Sequence, residues 1–346
     1  MKKTTNHLTF IDLFAGIGGI RLAFEACGCK CIFTSEWDKY SQQTYSANFN
    51  DQPRGDITKI VEHEIPSFDI LTAGFPCQPF SSIGLRQGFA HKTQGTLFYD
   101  VARILAHHRP KAFLLENVPG LVSHENGRTI TTIFDALRDI GYDVWYQILD
   151  SADFGLPQTR KRIYIVGLRV DHSRDPILFR PKSDDPSLFQ DVKLRNRFSF
   201  PLGSNTKTGI GKFLESGVSG HSISKHLQTV YLFKVNDGRP ELVDVNSTGV
   251  VKPLVASYHK IQRLTGTFVK DGETGIRLLT ARECKAIMGF PNDFIIPVSR
   301  TQMYRQFGNS VAVPVVQAIG KKIIDAISAE NEFINCKTDN GHFNKV

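Results

Sequence analysis

The chain has 346 residues, is 41% hydrophobic and 22% charged, and carries a formal net charge of +8 with a pI near 9.1. That length suits one large domain plus a smaller one, and the composition excludes a disordered or low-complexity chain. The charge favours a polyanionic partner over a lipid surface. No basic amphipathic helix, no apolar run of 18 residues and no apolar signal core after Met1-Lys-Lys-Thr-Thr-Asn6 is present, so a cytoplasmic protein is expected.

Leu8 to Phe14 reads as a buried strand, Ala15-Gly-Ile-Gly-Gly19 as a glycine turn, and Ile20 to Cys27 as an amphipathic helix. Glycines there let backbone approach a nucleotide-like ligand, although G-x-G-G is not the pyrophosphate fingerprint. Cys27-Gly-Cys29-Lys-Cys31 lacks the CxxC pairs and nearby partners of a zinc site, so no metal is expected. The six cysteines are too scattered for a disulfide framework.

A second strand, Lys30 to Ser35, ends in Glu36-Trp37. Glu36 lies 20 positions after Gly16, where a carboxylate can accept ribose hydroxyls, and Trp37 offers a face for an adenine. A solvated acid beside a core tryptophan is the alternative. A helix from Asp38 to Phe49 precedes Arg54-Gly-Asp-Ile57, which puts Asp56 at the same sheet edge, within reach of an adenine amino group.

Asp69 to Ser81 is an apolar strand leaving the sheet at Gly74-Phe-Pro-Cys77, because neither Pro76 nor Pro79 can donate to a ladder. Cys77 is either a strand-end nucleophile or an inert core thiol. Gly84, Gly88 and Gly95 punctuate an unpatterned stretch that suits a lid. Ala112 to Val118 is the next strand and delivers Glu116, an acid in an apolar run that must be paired or hold its proton.

A helix from Arg128 to Ile140 and strands near 144–149 and 162–168 continue a doubly wound pattern. Gln158-Thr-Arg-Lys-Arg162 between them is a solvated face or a phosphate grip. Residues 171–263 hold 14 Lys+Arg against nine Asp+Glu, five of the eight net charges, and five glycines fall between Gly203 and Gly220. A small strand- and loop-rich domain carrying the electrostatic footprint is expected there. Thr280-Ala-Arg-Glu283 is a capping box. Val311 to Ser328 reads as a closing helix, which Asn309 and Ser310 either cap or use to meet a ligand carboxylate, and residues after Cys336 read as a polar tail.

The ordered set Phe14-Ala-Gly-Ile-Gly-Gly19, Glu36-Trp37, Gly74-Phe-Pro-Cys-Gln78, Glu116-Asn-Val118, Gln158-x-Arg160-x-Arg162, Arg282-Glu-Cys284 and Gln306-Phe-Gly-Asn-Ser310 resembles the DNA (cytosine-5) methyltransferases. The likeness is to the compact bacterial enzymes of restriction–modification systems, and it runs from about residue 8 to about 325 with 171–263 unmatched. It implies an α/β class I S-adenosylmethionine-dependent methyltransferase: a Rossmann-like, seven-stranded mixed sheet in residues 1–184 plus 305–346, and a target-recognition domain in 185–304. The cofactor is then S-adenosyl-L-methionine, surrounded by Phe14, Ala15, Gly16, Gly18, Gly19, Glu36, Trp37, Asp56, Ile57, Gly74, Pro76, Asn309 and Ser310. By the same resemblance Cys77, Glu116, Arg160 and Arg162 are catalytic, while Gln78, Ser81 and Arg282 meet DNA. Pro79 and Ile83 sit where relatives vary, so the loop's wedge into the base stack is unassigned.

The partner implied is double-stranded DNA, served by a monomer acting on each strand in turn. A cognate nuclease would be a separate chain acting on the same sites without stable binding. Three rivals are an NAD-dependent dehydrogenase, which leaves Cys77 and Glu116 unexplained, a family member methylating a transfer RNA cytosine, and a non-catalytic DNA-binding relative. The recognition sequence is not legible, because base contacts need a structural register.

Overall fold

The computed structural model describes residues 7–76, 97–170 and 197–339, with side chains to residue 329. The strands are β1 (Thr9–Leu13), β2 (Lys30–Ser35), β3 (Ile70–Gly74), β4 (Ala112–Asn117), β5 (Tyr142–Asp150) and β6 (Lys161–Arg169), in the sheet order β2-β1-β3-β4-β6-β5. The first four pair in parallel, and β6 runs antiparallel to both its neighbours. Seven strands were expected in this sheet, and among the described residues it has six. Beyond β2 stands a single parallel bridge between Ser35 and Arg54.

Both faces of this sheet are covered, which is why its strands read as continuous apolar runs. Because alternate residues point to opposite faces, Phe10, Ile70 and Leu114 join one core cluster while Ile11, Leu71 and Leu115 join another. Over the first face pack α1 (Gly19–Glu25) and the long α7 (Val313–Asp339). Over the second pack α3 (Phe98–His108) and α4 (Arg128–Asp139), each with an apolar stripe turned inward. Helix α2 (Lys39–Phe49) begins at Asp38, whose side chain accepts from the Ser41 N–H.

Residues 197–299 hold a small parallel pair, β7 (Glu241–Val243) with β8 (Thr267–Val269), several single turns, and α5 (Ala281–Met288). This is the strand- and loop-rich texture expected from its glycines. Its apolar residues Leu232, Val243 and Phe268 belong to the same cluster as Phe10, Phe24 and Val316, so the small lobe shares a core with the first face of the sheet.

Two helix readings change. The closing helix begins at Val313, not Val311, with Pro314 inside its first turn. Before it lies α6 (Arg300–Asn309), for which Ser310 is the C-cap. Asn309 and Ser310 therefore end α6 and do not cap α7; Ala312, whose carbonyl accepts from Val315 and Val316, starts the latter.

Candidate functional site

The carboxyl ends of β1, β2, β3 and β4 open into one cavity of about 610 Å³. Ligands of open α/β sheets bind at this edge, because the loops there are free to vary while the strands stay packed. The turn after β1 is forced into shape: Phe14, Gly16 and Gly18 all take positive φ, at 56°, 56° and 86°. For Phe14 that is an uncommon backbone state, held by the Ala15 N–H donating to the Ser35 carbonyl at 3.0 Å. A Cβ on Gly16 would meet no atom within 4 Å, so its bare backbone faces open cavity. Gly18 does not line the cavity; it is needed because Phe49 packs against it.

Glu36 is buried, and its two oxygens accept from the backbone N–H groups of Gly16 (2.8 Å) and Asp38 (2.7 Å). Each carboxylate oxygen keeps a second lone pair for a ligand. Burial raises its pKa, against the pull of those N–H donors. Trp37 is 78% exposed at the rim, so the core alternative for it fails. Asp56 accepts from the Thr58 N–H and hydroxyl through Oδ1, and Ile57 is a buried apolar wall.

At the opposite end the register pairs Gly74 with Glu116. Arg162 Nε lies 3.1 Å from Glu116 Oε1, so Glu116 is both paired and pushed: burial raises its pKa, while Arg162 and then Arg160 act to lower it. Asn117 donates to the Phe75 carbonyl at 3.0 Å, fixing the chain as it leaves β3. Pro76 lines the cavity and is the last described residue before Cys77. Cys77, Gln78, Ser81 and the expected lid lie outside the described residues.

Phe14, Ala15, Gly16, Gly19, Glu36, Trp37, Asp56, Ile57, Gly74, Pro76, Glu116, Arg162, Asn309 and Ser310 thus meet at one cavity. Arg160 does not join them. It is 2% exposed, and its guanidinium donates to three backbone carbonyls, those of Leu254, Gly308 and Ser310. It is neither a solvated cation nor a nucleotide grip. Burial and then Arg162 push its pKa down to about 10. Arg282 sits on α5 beside a separate hollow, paired with Glu215 at 3.2 Å.

Sequence reasoning missed Leu97, Gln302, Arg305 and Gln306 as cavity walls. Leu97 is an ordinary leucine before α3 and carries no signal. The others follow from α6, whose i, i+3, i+4 spacing puts 302, 305 and 306 on one face. Among the described residues no helix is long and apolar enough to cross a membrane, and no cluster of three metal-ligating side chains occurs. Cys27, Cys29, Cys31 and Cys284 are free thiols.

The sequence pattern of the C-5 cytosine-specific DNA methylases matches residues 8–325. The chain belongs to this family. It is accordingly a DNA cytosine-5 methyltransferase, with the mixed-sheet fold of S-adenosylmethionine-dependent methyltransferases. It is 54% identical to the Type II methyltransferase M.MspI of Moraxella sp, over 95% of this chain and 73% of that one. With the Type II methyltransferase M.BsuFI of Bacillus subtilis it shares 57% identity, over 90% of this chain and 71% of that one. The structure of a Spodoptera frugiperda DNMT2 variant superposes with a TM-score of 0.69, covering 93% of this chain and 100% of that chain at 20% identity, a likeness of fold alone.

Proposed function

We propose that this methyltransferase modifies sequence-specific sites in duplex DNA as the Type II methyltransferases it resembles do, protecting them from a cognate endonuclease. The observation that carries the reading is the single cavity joining Glu36 and Trp37 at one end to Glu116 and Arg162 at the other. S-adenosylmethionine suits the first end. Glu36 offers acceptors for ribose hydroxyls, Trp37 a free aromatic face, Ile57 and Leu97 apolar walls, and Gly16 a side-chain-free approach. When bound, the cofactor supplies an electrophilic methyl group.

The chain's own part is to make cytosine carbon 5 nucleophilic. A target base inside a duplex must first leave the stack. Cys77, directly after the cavity-lining Pro76, adds as thiolate to ring carbon 6, and its electron pair shifts the ring density toward carbon 5. Glu116, whose pKa burial raises, donates a proton to ring nitrogen 3 and so neutralises the charge this addition creates. Arg162 orients the Glu116 carboxyl and lies at the cavity wall where the flipped nucleotide would rest. After methyl transfer a base takes the carbon-5 proton, the Cys77–carbon 6 bond breaks, and ring nitrogen 3 returns its proton to the Glu116 carboxylate, restoring the thiolate, the acid and the neutral aromatic ring.

Residues 185–304 form the proposed target-recognition region, with 1–184 and 305–346 as the catalytic part; the edge bridge at Arg54 stands where a seventh strand would extend the sheet. The protein acts as a monomer in the cytoplasm. The transfer RNA reading has less support, since the relatives at 54% and 57% identity are Type II methyltransferases. The test is transfer of labelled methyl to unmethylated duplex DNA, to transfer RNA and to no acceptor, followed by nucleoside analysis. 5-Methylcytosine in the duplex is expected; label in RNA alone would reassign the substrate, and a Cys77→Ser variant with wild-type rate would refute the covalent step.

A further inference from the structure

The Gln158-x-Arg160 part of the motif before β6 is spent on backbone. Gln158 is fully buried; its Oε1 accepts the Leu254 N–H at 3.0 Å, and its Nε2 donates to the Ile287 carbonyl at 2.8 Å. Arg160 Nη1 donates to the Leu254 carbonyl at 2.9 Å. Both polar backbone groups of Leu254 are therefore held by these two side chains. The two backbones beneath are bridged in parallel: the Thr159 N–H donates to the Val251 carbonyl at 2.9 Å, and the Val251 N–H to that of Pro157 at 2.8 Å. The other arm of the same guanidinium, Nη2, donates to the carbonyls of Gly308 (2.9 Å) and Ser310 (2.6 Å).

Those two residues wall the cofactor end of the cavity, whereas Leu254 belongs to the small lobe that carries the excess positive charge. A second contact joins the same two segments without Arg160. A Cβ on Gly308 would collide with the backbone of Val255 and Ala256, so 255–256 lies flush against the turn. A planar fork with fixed donors transmits a shift of one segment to the other better than a flexible ammonium does.

We propose that Gln158 and Arg160 form a positioning clamp that couples the small-lobe segment 251–256 to the cofactor-walling turn 308–310, so that duplex DNA and cofactor each tighten the binding of the other. The proposal rests on the reading of the cavity as the cofactor site. Such coupling is reciprocal, since the same free energy links the two ligands in either order of binding.

The experiment is calorimetric titration of the full chain with S-adenosylhomocysteine, alone and with saturating genomic duplex DNA of mixed sequence. In the wild type the duplex is expected to tighten S-adenosylhomocysteine. In Arg160→Met the nucleoside alone binds about tenfold more weakly, the loss of roughly one to two hydrogen bonds, and the duplex no longer changes its affinity. Arg160→Lys keeps the charge near Glu116 but loses the fork, and should show most of the same loss of coupling. Gly308→Ala disturbs the joint from its other side and should reproduce the phenotype, with a double Arg160→Met/Gly308→Ala variant less than additive.

If Arg160→Met does not fold, as judged by its melting curve, the lysine and Gly308→Ala variants decide. A fall in kcat alone, with both affinities unchanged, would make Arg160 a chemical residue and overturn the clamp. So would a coupling factor near one in the wild type, or one preserved in the folded variants. A wild type that does not bind S-adenosylhomocysteine at all would instead refute the cofactor reading.

Discussion

Trp37 packs against little, so Trp37→Ala should leave the melting temperature unchanged while weakening S-adenosylmethionine binding by about tenfold, the scale of one aromatic stacking contact; equal affinity by calorimetry would remove it from the site. In the proposed mechanism Glu116 acts as the protonated form, so activity is expected to decline as pH rises through its raised pKa. Arg162 favours the carboxylate and holds that pKa lower than burial alone would. Arg162→Met should therefore be slower and should move the alkaline limb of the pH–rate profile to higher pH; movement to lower pH would contradict the assigned pairing. Asp12, buried on β1 and bonded through Oδ1 to the Thr72 hydroxyl, leaves Oδ2 without a partner. Burial lifts its pKa from 3.8 to about 7. Between those values the folded chain keeps a proton that the unfolded chain has lost, so stability falls as pH rises across that window, by at most roughly 1.4 kcal/mol per unit, and levels off above it. Asp12→Asn should flatten this dependence in urea melts at pH 5 and pH 7.5; an unchanged slope would refute it.

At the scale of elements, local signals were sufficient wherever packing agreed with them. The strand Lys30–Ser35 stands where its apolar run placed it, and the helix expected over 38–49 spans Lys39–Phe49 with Asp38 as its N-cap. The capping box at Thr280 and Glu283 is formed on both sides, and the structure adds what the motif alone does not show. Arg277, with no exposed surface, pairs with Glu283 at 2.8 Å and with Asp271 at 2.8 Å, and donates to the Glu215 carbonyl. The cap of α5 is thus bound into a buried ion network of the small lobe. Arg277→Met would leave Glu283 buried without its cation and should cost about 3–5 kcal/mol in chemical denaturation; a loss below about 1 kcal/mol would show that the carboxylate finds water instead. The missed elements are α3, which follows the glycine-punctuated stretch, and α6. The sequence of α6 has few apolar residues and ends in Gly308-Asn309, so no local signal marks it, and it is helical because Met303, Tyr304 and Phe307 bury one face against the shared core.

The whole molecule places its charge unevenly. Within 197–263 there are nine Lys+Arg against four Asp+Glu, and Lys225, Lys234 and Lys260 are exposed there. Phosphate contacts release counterions, so each one lost lowers the steepness of log affinity against log salt by roughly one. Replacing these three lysines by glutamine should weaken duplex binding and flatten that dependence, with S-adenosylhomocysteine affinity intact when DNA is absent. An unchanged salt slope would place the DNA on another face.

The linear chain by itself determined the order of the six sheet strands, the family, and most of the cavity wall. Those depend on local rules: apolar runs, turns that only glycine permits, and acids at strand ends. It also set Cys77 directly after the strand that reaches the cavity. Tertiary structure alone decided which of two arginines, two positions apart in Arg160-Lys-Arg162, meets Glu116 and which is consumed by backbone carbonyls from residues 254, 308 and 310. Alternation along a strand predicts that residues two apart share a face, but Arg160 precedes β6 and its partners lie some 90 to 150 positions away in the chain. Only the folded chain brings those carbonyls to one guanidinium, because burial of a cation requires acceptors that no local sequence pattern supplies.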